Sequence, residues 1–496
     1  MADKSQDVLK NLSALEVKEV GYVKEVKRGI AKVTGLPSCI YGQLVEFKPG
    51  LKGIVIGFDE HETSVIILGE ETKVSVGDAA STFSELFHVP VGDNYLGRVV
   101  NGLAEPIDLK GDITPSEYLP AFREAPGIME REPITEPLLT GIKMLDLMVP
   151  IGKGQRELIV GDRHIGKTSI ALDTILNQEG KDVVCIYCWV GGSYNAFENF
   201  IEELNQRRVL PYMIAVCSPA ASPAAEQYLC PFTACTLGEH FMYQGKDVVV
   251  VFDDLTKHAW IYRQMSLLLE RAPGREAYPG DIFFLHSQLM ERAGRLKAER
   301  GGGTMTFLPI VETLQGDITG YIQSNLISMT DGQIYLNSDL FREGVRPAID
   351  LALSVSRIGS KVQAPAIRKL SGFLRLEYTQ YRETLRLTRL RTRLSEEARA
   401  RIKHGDVLQE LLLQDNYSPV SLAEEILLFY AFNKKILEVL APHMLRKFKR
   451  EILNFTRQQD AELVNELNEK GELTPEAVKR LNAIFLNYFK KAKKTA

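Results

Sequence analysis

Hydrophobic and polar positions fall into three regimes along the 496 residues. From about Val20 to His88, short β-rich runs are separated by glycine: "GYVKEVKRGIAKVTG", "GQLVEFKPG", "LKGIVIGFD" and "TSVIILGE". Strands this short, with turns this frequent, predict a small barrel with a modest core. From 89 to 365, strand-length apolar runs alternate with stretches at helical spacing, which predicts a mainly parallel sheet covered on both faces. Beyond 366 the strand signals stop. "SLAEEILLFYAFNKKILEVL" opens with Ser421 and Glu424 as a capping box and keeps an apolar stripe, and Thr474-Pro475 starts another helix. The expected order is a leading segment 1–20, a barrel 21–88, an α/β domain 89–365 and a helical domain 366–496. No internal repeat or low-complexity tract interrupts it, and the closing "KKAKKTA" should fray in solvent.

Within the α/β region one stretch carries chemistry. Gly161-Asp162-Arg163-His164-Ile165-Gly166-Lys167-Thr168 fits GxxxxGK[ST] at every fixed position. The two glycines allow the tight turn that points successive amide N–H groups at phosphate oxygens. Lys167 supplies a point charge, Thr168 a hydroxyl for Mg²⁺, and the helix that follows the positive end of its dipole. The setting is right for such a loop: "RELIV" (156–160) reads as a buried strand and "SIALDTILNQ" (169–178) as a helix, before "DVVCIYCWV" resumes as strand. A second buried strand, "KDVVVVFDDL" (246–255), ends in Asp253, a carboxylate placed to orient the Mg²⁺ shell through water. The bland alternative for Asp253 is a polar turn.

Composition narrows the picture further. Charged residues at 25% and apolar ones at 45% describe an ordinary globular protein, and a net charge of −4 gives no footprint for nucleic acid. The apolar runs fall far below the ~20 residues of a membrane span, and "MADKSQDVLKN" has no apolar signal core. A bacterial cytoplasm is the simplest compartment. Six cysteines (39, 185, 188, 217, 230, 235) are too few for a disulfide framework, and Cys185–Cys188, though spaced CxxC, lies inside a β-branched strand, where core packing is the expectation.

Longer motifs carry a resemblance. "PIGKGQRELIVGDRHIGKTSIALDTI" (150–175), "YRQMSLLLERAPGREAYPGDIFFLHSQLMERA" (262–293), "GGGTMTFLPIVET", "ISMTDGQIYLNSDLF" and "GVRPAIDLALSVSRIGS" (344–360) follow one another in the order of the α subunit of the F-type rotary ATP synthase. The chain is similar to that family from about Gly21 to at least Tyr430. The resemblance implies a six-stranded-type barrel, a RecA-like P-loop domain and a C-terminal helical bundle. It implies ATP or ADP with Mg²⁺ as cofactors. The implied partners are β-type catalytic subunits in an alternating hexamer, a central rotor shaft and a peripheral stalk, on the cytoplasmic face of a bacterial membrane.

For individual residues the resemblance implies a division of labour. Loop 161–168 and Asp253 would hold phosphates and Mg²⁺, with Arg346, Pro347, Gln414 and Asn416 lining the adenine pocket. β subunits carry a water-orienting Glu after the next strand and α subunits usually Gln, whereas here the matching position in "WVGGSY" is Gly192. The loop is therefore expected to be a binding site with slow or no turnover, structural or regulatory. Arg357 of "SVSRIGS" would reach into a neighbour's catalytic site as an arginine finger, with Ser328 near the same boundary, although a turn hydroxyl explains Ser328 nearly as well.

The chain departs from the family in three places. His164-Ile165 replaces Gln-Thr inside the loop, and Ile165 offers no side-chain hydrogen bond. Arginines at 386, 389, 391, 393, 399 and 401 make one helical stretch unusually basic, either a solvated face or a face toward an acidic shaft. The segment before Gly21 is short, which bears on stalk docking. Competing readings are a related rotary motor or ion pump, a self-sufficient hexameric export ATPase or RNA translocase, and a paralogue that binds no nucleotide.

Overall fold

A computed structural model describes residues 19–48, 50–388 and 395–495. The first eighteen residues, most of the expected leading segment, lie outside the described residues, as do Arg389, Arg391 and Arg393. The chain groups into two compact units. One comprises the chain up to Ala125 with Ile186–Phe241 and Phe252–Arg292; the other comprises Pro126–Cys185, Met242–Val251 and the chain from Ala293 on.

In the first unit, six strands close a barrel: β1 (Val20–Lys27), β2 (Ile30–Thr34), β3 (Gln43–Phe47), β4 (Leu51–Phe58), β5 (Glu62–Leu68) and β6 (Ala79–Leu86), in the spatial order β1-β2-β5-β4-β3-β6. Alternation sends Val23, Val33, Val45, Phe47, Val55 and Val65 into a common interior. The two-residue turn between β1 and β2 places Arg28 and Gly29 at positive φ (45° and 80°), the geometry that matches strand twist in a hairpin. Gly53 is required by crowding: a Cβ there would lie 2.5 Å from Val65 Cγ1 and 2.8 Å from Phe47 Cε2. The same unit pairs Val99–Val100 in parallel with Met213–Ser218 and carries the helices Tyr194–Gln206, Leu255–Leu268 and Ile282–Met290.

In the second unit the strand Glu157–Gly161 lies between two parallel partners. Ile159 is opposite Ile310 of Thr304–Glu312 on one side and Ile334 of Gly332–Tyr335 on the other. All five of its residues are buried, as a central parallel strand demands. The helix Lys167–Leu176 follows its carboxyl end after the loop 162–166. From Pro365 onward the unit is helical. Between Leu422 and Phe432 only Glu424 escapes burial, so this helix is enclosed all round rather than carrying the single apolar stripe expected. It packs against Pro365–Ser371, Pro442–Gln459 and Ala461–Lys470. The basic tail continues the last helix to Thr495 instead of fraying. Arg386, Arg399 and Arg401 are exposed.

Candidate functional site

The phosphate-loop sequence forms the turn its glycines require. A Cβ on Gly161 would lie 2.7 Å from Ile165 Cδ1 and 2.8 Å from the Leu336 carbonyl oxygen, and Gly166 sits at φ 102°, in the left-handed region, as the helix N-cap. Asp162 braces the loop from within. Its Oδ1 accepts the Thr313 hydroxyl at 2.7 Å and the Gly316 N–H at 2.8 Å, and its Oδ2 accepts the Ser338 hydroxyl at 2.6 Å. Burial works against its charge, but these donors outweigh burial and hold the carboxyl below its ordinary range. Lys167 is 7% exposed and donates to the carbonyl oxygens of Gly161 at 2.9 Å and Asp162 at 2.5 Å.

The two residues that break the family pattern part company. His164 is exposed at φ 60°, while Ile165 is buried against Gly161. Ile165 thereby serves as an apolar wall. It lines a cavity of about 110 Å³ together with Gly166, Phe341, Arg346, Pro347, Gln414 and Asn416. Four residues expected at the adenine pocket, separated by up to 70 positions in sequence, thus meet beside the loop. Arg346 stacks its guanidinium 3.6 Å from the Phe341 ring centroid and donates to that residue's carbonyl oxygen at 2.6 Å. Gln414 is held on every side. Its backbone N–H donates to Arg346 O at 2.9 Å, its Oε1 accepts the Lys143 N–H at 3.1 Å, and its Nε2 donates to Gly141 O and Ser418 O. Its amide groups are used within the chain, so it shapes the wall rather than reading a ligand's edge.

Sequence reasoning missed Phe341 and Lys143. The second left a signal: a lysine within the run "GIKMLDLMV", where its neighbours are apolar.

Asp253 belongs to the first unit. It is 9% exposed at the end of the strand Asp247–Asp253, where its Oδ2 accepts the Tyr187 hydroxyl at 2.6 Å. Asp254 beside it caps the next helix through the Lys257 N–H at 2.8 Å. Gly192 lies under an indole: a Cβ there would be 2.3 Å from Trp189 Nε1, and Trp189 is packed in turn against Phe197 and Phe200. The space of a side chain at 192 is already filled. All six cysteines are free and buried, and Cys188 and Cys230 approach to 3.5 Å between sulfurs.

Arg357 follows the short strand Val355–Ser356 in the second unit. Its segment is braced. The Arg357 N–H donates to Asp331 O at 2.8 Å, the Asp331 carboxylate is gripped by Arg156, and the Ser356 hydroxyl donates to Pro150 O at 2.7 Å. The Arg357 side chain is exposed, and among the described residues its guanidinium makes no hydrogen bond or ion pair. Ser328 is exposed on the helix Tyr321–Met329, bonded to Asn325 O at 2.7 Å, and is not a turn residue. No helix among the described residues is long and apolar enough to cross a membrane.

Comparison with known proteins agrees with this layout. Residues 16–81 match the "ATP synthase alpha/beta family, beta-barrel domain", residues 141–356 its nucleotide-binding domain and residues 363–488 its C-terminal domain. ATP synthase subunit alpha of Caldanaerobacter subterraneus subsp. tengcongensis is 45% identical over 478 residues, covering 96% of this chain and 94% of the relative. The subunit of the same name from a type B Clostridium botulinum strain is 42% identical over 485 residues, covering 98% and 96%. Another from a type A strain is 44% identical over 476 residues, covering 96% and 94%. With a barrel, a phosphate-loop domain and a helical domain in the family's order and close relatives along nearly its whole length, the chain belongs to the ATP synthase alpha/beta family, on its alpha-subunit side.

Proposed function

We propose that this chain is the non-catalytic, regulatory nucleotide-binding subunit of a rotary ATP synthase head, and that its contribution to chemistry is made through Arg357 in the site of an adjacent β-type subunit. The observation that carries the reading is the pairing of a well-formed phosphate loop with an exposed arginine whose guanidinium makes no hydrogen bond or ion pair among the described residues. An unspent guanidinium on a braced segment is available to a neighbouring molecule's developing charge, and such fingers are worth about 10³ to 10⁵ in rate. The missing side chain at Gly192 supports the non-catalytic assignment, because no group there can orient a water.

In this reading loop 161–168 holds the phosphates of ATP or ADP. Thr168 would ligate Mg²⁺ directly. Three copies alternate with three β-type subunits around a shaft, held by a peripheral stalk at the cytoplasmic face of the membrane, with ion flow coupled to ATP synthesis. The test is Arg357→Ala in the assembled complex. Turnover should fall by about 10³ or more while nucleotide bound per head is unchanged. Unchanged turnover would falsify the finger assignment.

A further inference from the structure

The wall of the nucleotide cavity is attached to the rest of its unit in an uncommon way. The helix Glu396–Leu412 ends just before Gln414 and Asn416, and the last carbonyls of any helix lack intrahelical donors. Here two ammonium groups supply them. Lys143 donates to Leu411 O and, at 3.0 Å, to Leu413 O. Lys449, from the helix Pro442–Gln459, donates to Glu410 O at 2.9 Å and to the same Leu413 O at 2.5 Å. Positive charge at a helix carboxyl end is favourable. The Lys143 backbone N–H also meets Gln414 Oε1, so one residue grips the wall at two points.

This arrangement is costly. Lys143 is 1% exposed, and burial, with the Lys449 charge beside it, pulls its pKa down to about 7. Glu424 and Glu425 face it and oppose that shift. A methionine would fill the same space without burying an ammonium. What the lysine adds is the hold on carbonyls directly before the cavity-lining residues.

We propose that Lys143 and Lys449 are positioning residues of the base-binding wall: by fixing the carbonyls of Glu410, Leu411 and Leu413 they set Gln414 and Asn416 against an adenine base, and so govern retention of the whole nucleotide. The inference rests on reading the cavity as the base pocket of the bound nucleotide.

The test separates base from phosphate. Full-length Lys143→Met and Lys449→Met chains are titrated with Mg-ADP and, in parallel, with inorganic tripolyphosphate, which engages the loop but has no base. Each variant should bind ADP about tenfold more weakly and tripolyphosphate within about twofold of the parent. ADP affinity unchanged in both variants would overturn the inference, and so would equal losses for the two ligands, since that marks general loosening. If neither variant folds, hydrogen exchange on the parent chain decides: amides 413–418 should gain protection with ADP and not with tripolyphosphate, and equal protection overturns the proposal. A parent chain that binds tripolyphosphate and not ADP would instead sink the base-pocket reading itself.

Discussion

Glu157 shows how much a single side chain can be bent by its place in a sheet. It starts the central strand of its unit, is fully buried, and its Oε2 accepts the Gln155 amide at 2.6 Å. Its Oε1 has no hydrogen-bond partner among the described residues. Burial first, and the Asp331 carboxylate second, push its pKa well above the usual range, against the smaller pull of Gln155 and Arg357. A group whose folded pKa is raised gives its full stability below the unfolded value, near 4.5, and loses it as pH climbs toward the folded one. Glu157→Gln, which cannot titrate, should therefore leave the melting temperature near pH 4.5 almost unchanged and raise it at pH 8. Parallel melting curves for the two chains across that range would refute this. Nothing in "RELIV" foretold so raised a carboxyl, because the burial that imposes it is a property of the assembled sheet and the Asp331 carboxylate that adds to it is distant in sequence. By contrast Gly161, Gly166 and Lys167 were legible, since their geometry is local to eight residues.

At the scale of elements, legibility followed the range of the forces involved. The strand expected over 156–160 forms over Glu157–Gly161, and the helix expected over 169–178 forms over Lys167–Leu176. The boundaries shift by only one or two residues at each end. The cavity wall is different: its residues come from elements that periodicity places separately but cannot bring together. The same holds for the buried histidine pair of the first unit. His258, on the helix Leu255–Leu268, bonds through Nε2 to Tyr228 O at 3.0 Å and through Nδ1 to His286 Nε2 at 3.4 Å. Burial lowers His258 to about 4, and burial with the His258 charge lowers His286 to about 3. Between those values and the ordinary 6.5 the unfolded chain binds more protons, so stability is full above 6.5 and drains as pH falls. The loss is on the order of 3 kcal/mol for His258 alone by pH 4. A His258→Asn, His286→Gln chain should start less stable at pH 7 but show a flatter decline to pH 4, read by chemical denaturation. A slope equal to the parent's would rule the pair out as its source.

For the whole molecule the three-part order was readable from patterning alone, because each part repeats its own period over sixty residues or more. The grouping into contact units was not, since 186–241 and 252–292 associate with the N-terminal part rather than with their sequence neighbours. Function at this scale turns on an asymmetry between what the chain holds and what it lacks. It has a braced phosphate loop with a buried lysine, at Gly192 an indole occupies the space a side chain would take, and the Arg357 guanidinium proposed as the finger makes no hydrogen bond or ion pair among the described residues. The proposed function makes binding and chemistry separable. A loop that cradles phosphates lowers the energy of bound nucleotide, but without a positioned water and a donor for the transferring phosphoryl it does not lower the barrier further. The purified chain, supplied with Mg-ATP, should retain nucleotide through repeated gel filtration and release it as unhydrolysed ATP, with turnover appearing only once β-type subunits are added. Hydrolysis by the isolated chain at the rate of the assembled head would mean that the water is oriented from some other position, and the division of labour between neighbouring subunits would have to be abandoned.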